Sequence, residues 1–402
     1  MTPGHDIPAR LARLRAVMVA NDWDAVIASL PESVLYLSGA LIHTQQLMRR
    51  RQCAVVAVRE GTATLVVAEV ELPLARRMAG DMPIRTYNEL TESACSVAAA
   101  ILREGSRVPA TLAIERSYLP ALDHDVLTAA LPTTRVIGGD AELMALRRAK
   151  SPTELAELCA GAQTIDRAID EAIRAAHPGM REDALSELVR ANIQRIGGAG
   201  VSLASGMVAA GENLLVPHHH AGSRPLEEGD VVKVAGRATF HGYYAQLARM
   251  AVVGAAAPEF ADRYARSREA HRYLLGALRP GVPAAQVYEE VISKREGLQL
   301  AARLAHVGHS MGLEYMESPK LAPGSDELLE AGMVMQATTV TNDAVAGLIQ
   351  IVDMVAIEAG GVRILSDVVD TTTPLVIGAA SGPAASMPAD AAPPKKMEKS
   401  NG

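Results

Sequence analysis

The chain of 402 residues carries a net charge of −7 with both signs dispersed, and 49% of its residues are apolar. That length accommodates two domains and a sizeable core, and the dispersed charge argues against nucleic acid or an anionic membrane surface as partner. The cysteines, Cys53, Cys95 and Cys159, are odd in number and far apart, which speaks against a disulfide framework and for a reducing compartment. The N-terminal "MTPGHDIPARLARLR" has no apolar signal region, and no run of about 18 uninterrupted apolar residues occurs. A cytoplasmic protein is the expectation.

In chain order, "PARLARLRAVMVAND" (8–22) spaces Leu11, Leu14, Val17 and Met18 as an amphipathic helix. "DAVIAS" (24–29) reads as a buried strand. "CAVVAV" (53–58) and "ATLVVA" (63–68) flank a hairpin turn. "ELPLARRMAG" (71–80) predicts a helix ending on Gly80, "SACSVAAAILREG" a further helix, and "TLAIE" (111–115) a strand. This alternation predicts a small α/β domain over residues 1–148.

From residue 149 the pattern changes. Ser151, Pro152 and Glu154 form the capping signature of a long helix, and a second helix is expected over 181–197. Strands follow near 205–215, 231–238, 243–253, 333–340 and 347–357, interrupted by helices near 258–277 and 284–296. A second domain over 149–377 is expected, and then an Ala/Pro- and Lys-rich tail (378–402) that cannot bury a core.

"KVAGRATFHGYYAQLARMAVVG" (233–254) predicts two strands hinged at His241-Gly242. Together with "RRAKSPTELAELCAGAQ", "LEEGDVVKV", "GHSMGLE", "LEAGMVM" and "GLIQIVDMVAI", in that order and spacing, it resembles the creatinase / Xaa-Pro aminopeptidase family over residues 8–377. The resemblance implies an α+β fold: a small N-terminal α/β domain, then a pita-bread domain in which helices cover a curved, mainly antiparallel sheet. It also implies a homodimer.

The metallopeptidases of that family hold two divalent ions with two Asp, one His and two Glu. Carried over, these positions fall on Ala235, Gln246, His309, Thr338 and Ile351. Four anionic ligands are then absent, and one imidazole with neutral oxygens cannot offset about four positive charges. No metal and no other cofactor is expected.

The same resemblance points to creatinase, a metal-free branch acting on a C–N bond. His218 matches its catalytic histidine, and Arg51 matches an arginine that holds the substrate carboxylate in a dimer. Creatine itself is disfavoured, because its guanidino-binding glutamates fall on Ala248 and Thr338. A helper histidine of the peptidases falls on Met316.

Read as residues, His218 offers an imidazole for proton transfer or is a surface histidine in the run His218–His220. His309 could line a pocket as a proton donor or be held as a remnant. Arg51 offers a fork for a carboxylate or belongs to a solvated basic run. Gln246, Tyr244 and Thr338 could orient a substrate amide or carboxylate, or simply pack. Glu314 and Glu317 are the acids nearest His309, and Glu317 joins the substrate-binding set.

The expectation is a metal-independent hydrolase, or related lyase, acting on a C–N bond of a small carboxylate-bearing nitrogen compound. His218 and His309 would be catalytic and Arg51 the anchor. Two alternatives stay open: a non-catalytic binding or scaffold protein, and a metallopeptidase of the Xaa-Pro aminopeptidase type.

Overall fold

The computed structural model describes residues 6–48, 50–216, 218–300, 304–343 and 347–378. The expected tail, from 379 onward, lies outside them. The first element, α1 (Ile7–Ala20), is capped by Asp6, whose side chain accepts from the Ala9 amide. Six strands follow: β1 (Ala25–Ala28), β2 (Ala54–Val58), β3 (Thr64–Ala68), β4 (Ile84–Tyr87), β5 (Thr111–Ile114) and β6 (Arg135–Gly138). They form one mixed sheet in the order β4-β3-β2-β1-β5-β6. The 53–68 hairpin is present, with Val55 opposite Leu65.

Six further helices surround this sheet: α2 (Pro31–Ser38), α3 (His43–Leu47), α4 (Leu72–Met78), α5 (Ala94–Glu104), α6 (Ala121–Ala130) and α7 (Asp140–Arg148). Helix α2, like β4 and β6, was not read from the sequence. It buries most of its length, so it lacks the polar face that periodicity detects.

The second part opens with α8 (Pro152–Ala175), on which the predicted capping box is complete: Ser151 accepts from the Glu154 amide and Glu154 accepts from the Ser151 amide. Then come α9 (Glu182–Gly197), β7 (Val201–Ala210), β8 (Val231–Phe240), β9 (Tyr243–Val253), α10 (Pro258–Ala277) and α11 (Ala284–Gly297). The chain continues through β10 (Gly308–Ser310), β11 (Glu317–Lys320), β12 (Val334–Asp343), β13 (Gly347–Glu358), β14 (Gly361–Ile364) and β15 (Leu375–Ile377). The expected strand near 205–215 starts earlier and gives way to a 3-10 turn over Gly211–Leu215.

These strands make a nine-stranded sheet in the order β11-β10-β12-β13-β9-β8-β7, with β14 beside β13 and β15 beside β9. It is an α+β, pita-bread architecture. At the β8–β9 turn, His241 and Gly242 have φ of 49° and 92°, the doubly left-handed geometry that matches strand twist in two-residue hairpins.

Strand alternation gives the sheet two faces. On the outer face, Val232, Val234 and Leu247 pack in one core with Leu158, Ile165 and Ile169 of α8 and Val189 of α9. Arg249 lies on the same face and is fully buried. It donates to Asp166 of α8 at 2.9 Å and to Asp353 of β13 at 2.8 Å. The Asp353 carboxylate also meets His271 of α10 at 3.0 Å and accepts from the Ser366 hydroxyl at 2.8 Å. Burial pushes the Asp353 carboxyl up, but the Arg249 guanidinium and these hydrogen bonds outweigh it and hold the group well below the carboxylate range.

Removing one partner of such a network strands a buried charge. Asp353→Ala is therefore expected to cost about 3–5 kcal/mol, read as a lowered urea midpoint. Because the folded pKa of Asp353 is depressed, its contribution is present above the unfolded value of about 4 and is lost as pH falls below it. The wild type should lose more stability than Asp353→Ala below about pH 4. Equal midpoints for both proteins at pH 7 would contradict this account.

Candidate functional site

The inner face carries positions that the sequence resemblance matches to metal ligands. Residues of β8, β9, β12 and β13 that share it include Ala235, Gln246, Thr338 and Val352, with Val352 opposite both Thr338 and Ala248. Ala235, Ala248 and Val352 pack together, with Met207 of β7 against them. The assignment of Ile351 to the fifth position is corrected here. Ile351 points outward and packs with Phe260 and Tyr264 of α10, and a shift of one residue along a strand moves a side chain to the other face. Val352 faces the site instead.

The donors do not fit a pair of divalent ions. Hard cations need carboxylate oxygens, and the five inner positions hold Ala235, Gln246, His309, Thr338 and Val352. Among the described residues, no group of three or more His, Cys, Asp or Glu is placed to hold a metal ion.

Above this apolar floor lies a cavity of about 380 Å³. Its wall includes Lys233, Arg237 and Gln246 from the hairpin, Gln350 from β13, Tyr315, and the two histidines His218 and His219. Among the described residues, no Asp or Glu lines it. His218 is exposed, with a left-handed φ of 58° in the turn after β7. His219 is tied at 2.9 Å to Glu182, a buried carboxylate that also accepts from Asn213 and the Ala210 amide. Of the three histidines, His219 is the one bonded to that carboxylate, and His218 and His219 line the cavity.

Lys233 is half-buried, and burial pushes its ammonium below the usual lysine value. Arg237 lies over the Tyr315 ring at 5.6 Å. Neither cation was singled out in the sequence. The signal was available: in Lys233-Val234-Ala235-Gly236-Arg237 both share the face of Ala235 at a period of two.

The remaining expected residues are placed as follows. His309 is buried on β10, with Nδ1 2.9 Å from the Ser310 carbonyl and its ring 5.7 Å from that of His306. Burial pushes its pKa down to about 4. Thr338 is buried, and its hydroxyl accepts from the Gln336 amide at 3.3 Å. Tyr244 packs edge-on against Tyr315, 6.1 Å between centroids, and is not part of the cavity wall.

Two candidates are committed elsewhere. Glu317 is buried with Lys150 at 2.7 Å and Arg147 at 3.8 Å, so it fastens the segment joining α7 to α8 and is not open to substrate. Its carboxylate also explains a glycine of "GHSMG": a Cβ on Gly312 would approach it to 2.6 Å. Arg51 sits in the first part of the chain, bonded to Glu71 at 3.2 Å and Glu89 at 2.7 Å, and does not line the cavity.

Two layers of this kind, a small α/β unit followed by helices over a curved sheet with a cavity on its inner face, are those of the creatinase-like hydrolases. The family described as metallopeptidase family M24 matches residues 157–371, and the creatinase/prolidase N-terminal domain matches 10–149. The chain belongs to metallopeptidase family M24. It is 28% identical over 326 residues to a protein of Mycobacterium tuberculosis named probable dipeptidase PepE, covering 80% of this chain and 85% of that one. It is 25% identical over 363 residues to the Xaa-Pro dipeptidase of Pyrococcus furiosus, covering 89% and 97%. In fold it is similar to a solved Xaa-Pro dipeptidase from Bacillus anthracis, with a TM-score of 0.81, 19% identity, and 92% and 100% of the two chains covered.

The placement of His309 predicts a titration. NMR of labelled protein should show its imidazole neutral down to about pH 4. Because the folded pKa is depressed, the unfolded chain binds the proton first, and stability falls as pH drops from about 6.5 to about 4. A His309 signal titrating near pH 6.5 would overturn this description of its surroundings.

Proposed function

We propose that the protein is a metal-independent hydrolase that cleaves the amide C–N bond of a small, carboxylate-bearing compound of dipeptide size, bound on the inner face of the large sheet. The observation that carries this reading is a cavity of about 380 Å³ at the positions matched to the family's metal site, four of which hold Ala235, Gln246, Thr338 and Val352 in place of carboxylates. Two relatives are named dipeptidases. Those names favour a peptide over the broader class of nitrogen compounds expected from the sequence. They also favour metal-dependent hydrolysis, and the donor set is the argument against that part.

In this reading His218 takes a proton from a water as its oxygen attacks the amide carbon, and returns it to the departing nitrogen. A second reading, ligand binding without turnover, is favoured by the apolar packing of Ala235, Ala248 and Val352 and by the lack of any carboxylate among the described residues of the cavity wall.

The full chain, assayed by mass spectrometry on a dipeptide panel that includes Xaa-Pro members, is expected to show turnover unchanged by EDTA and lowered at least ~100-fold in His218→Ala. Elemental analysis should find no stoichiometric transition metal. Turnover that requires added Mn²⁺, or a stoichiometric ion, would establish the metallopeptidase reading instead. Saturable binding with no turnover would establish the second.

A further inference from the structure

We infer that Lys233 and Arg237 form a carboxylate clamp over Ala235, which seats the ligand's acid group where the family's metallopeptidases carry their ions. The inference rests on the cavity being the ligand site, as proposed above, but not on turnover.

Lys233, Ala235 and Arg237 alternate on one face of β8, and Met250, Ala248 and Gln246 stand opposite them on β9. The two cationic residues are four positions apart, about 13 Å between backbones at ~3.3 Å per residue. Long side chains from both ends can lean toward the middle. The methyl group of Ala235 leaves the space between them open.

Neither cation is neutralised. Among the described residues, the Lys233 side chain has no ion pair or hydrogen bond, and the Arg237 side chain has only the face of Tyr315. Among the described residues, the cavity wall offers no carboxylate to either. Two like charges held half-buried around one void lose hydration and repel each other, a cost that an anion between them removes.

An independent observation points to the same place. Gln246, directly across the ladder from Arg237, is nine-tenths buried, and its Oε1 has no hydrogen-bond partner. A buried amide oxygen left without a donor is costly unless a ligand supplies one. A ligand with an N–H beside its carboxylate satisfies both demands: the carboxylate takes the cations and the N–H donates to Gln246. That pattern is an N-acyl amino acid or the C-terminal residue of a peptide.

The test compares N-acetylglycine with N-acetylglycinamide, two probes of nearly equal size that differ in the charged group. Isothermal titration calorimetry would use the full chain, Lys233→Gln, Arg237→Gln, and the exposed Arg103→Gln as control. Thermal melts verify that each variant is folded. N-acetylglycine is expected to bind the wild type at least ~10-fold more tightly than the amide. Each cavity variant should lose at least ~10-fold for N-acetylglycine with little change for the amide, Arg103→Gln should match the wild type, and affinity should fall as NaCl is raised.

Equal affinity for acid and amide, unchanged binding in both cavity variants, or no saturable binding to the wild type would each overturn the clamp. Tighter binding of inorganic phosphate than of N-acetylglycine would overturn the choice of a carboxylate. Binding as expected with no dipeptide turnover removes the hydrolase reading and leaves the clamp standing. Turnover whose KM is unmoved by Lys233→Gln and Arg237→Gln removes the clamp and leaves the hydrolase.

Discussion

Arg249, buried on the outer face of the interior strand β9, binds a carboxylate from α8 and another from β13. Through Asp353 it also reaches His271 on α10. One guanidinium thereby ties both halves of the large sheet to helices from each. Such a group is costly to bury and is satisfied only when its partners arrive in register. The inner face follows from it. With Arg249 and Asp353 pointing outward, Ala248 and Val352 must point inward, and the hairpin beside them presents Lys233, Ala235, Arg237 and Gln246 to the cavity.

The floor and the wall then differ in kind. Ala235, Ala248 and Val352 exclude water and offer no charge. Lys233 and Arg237 bring two positive charges to the wall of the cavity that covers them. In a carboxylate-rich site the polarity runs the other way: protein anions surround bound cations. Here the protein supplies the cations, and the complementary species is an anion.

Much of this was legible beforehand because it rests on local chemistry. The capping box at Ser151 and Glu154 is a short-range signal, as is the His241-Gly242 turn, and both stand as read. Ile351 was misplaced because an outward and an inward residue in "GLIQIVDMVAI" are equally apolar. Only the cross-strand register, with Val352 opposite Ala248 and Thr338, separates them. Glu317 and Arg51 looked available because a sequence does not show which distant charges reach them. Lys150 reaches the first, and Glu71 and Glu89 the second. Lys233 and Arg237 are hard to read for a different reason: a charged residue in a strand ordinarily faces solvent, and only the cavity over the inner face gives these two a site to line.

The packing of Ala235 against Ala248 and Val352 has a bearing on how the chain reaches its folded state. Opposed carboxylates around an empty metal site repel one another until ions arrive, so folding and ion supply are linked. A floor of methyl and isopropyl groups has no such linkage. On the proposed metal-free reading, closing the sheet over this floor does not wait on a divalent ion.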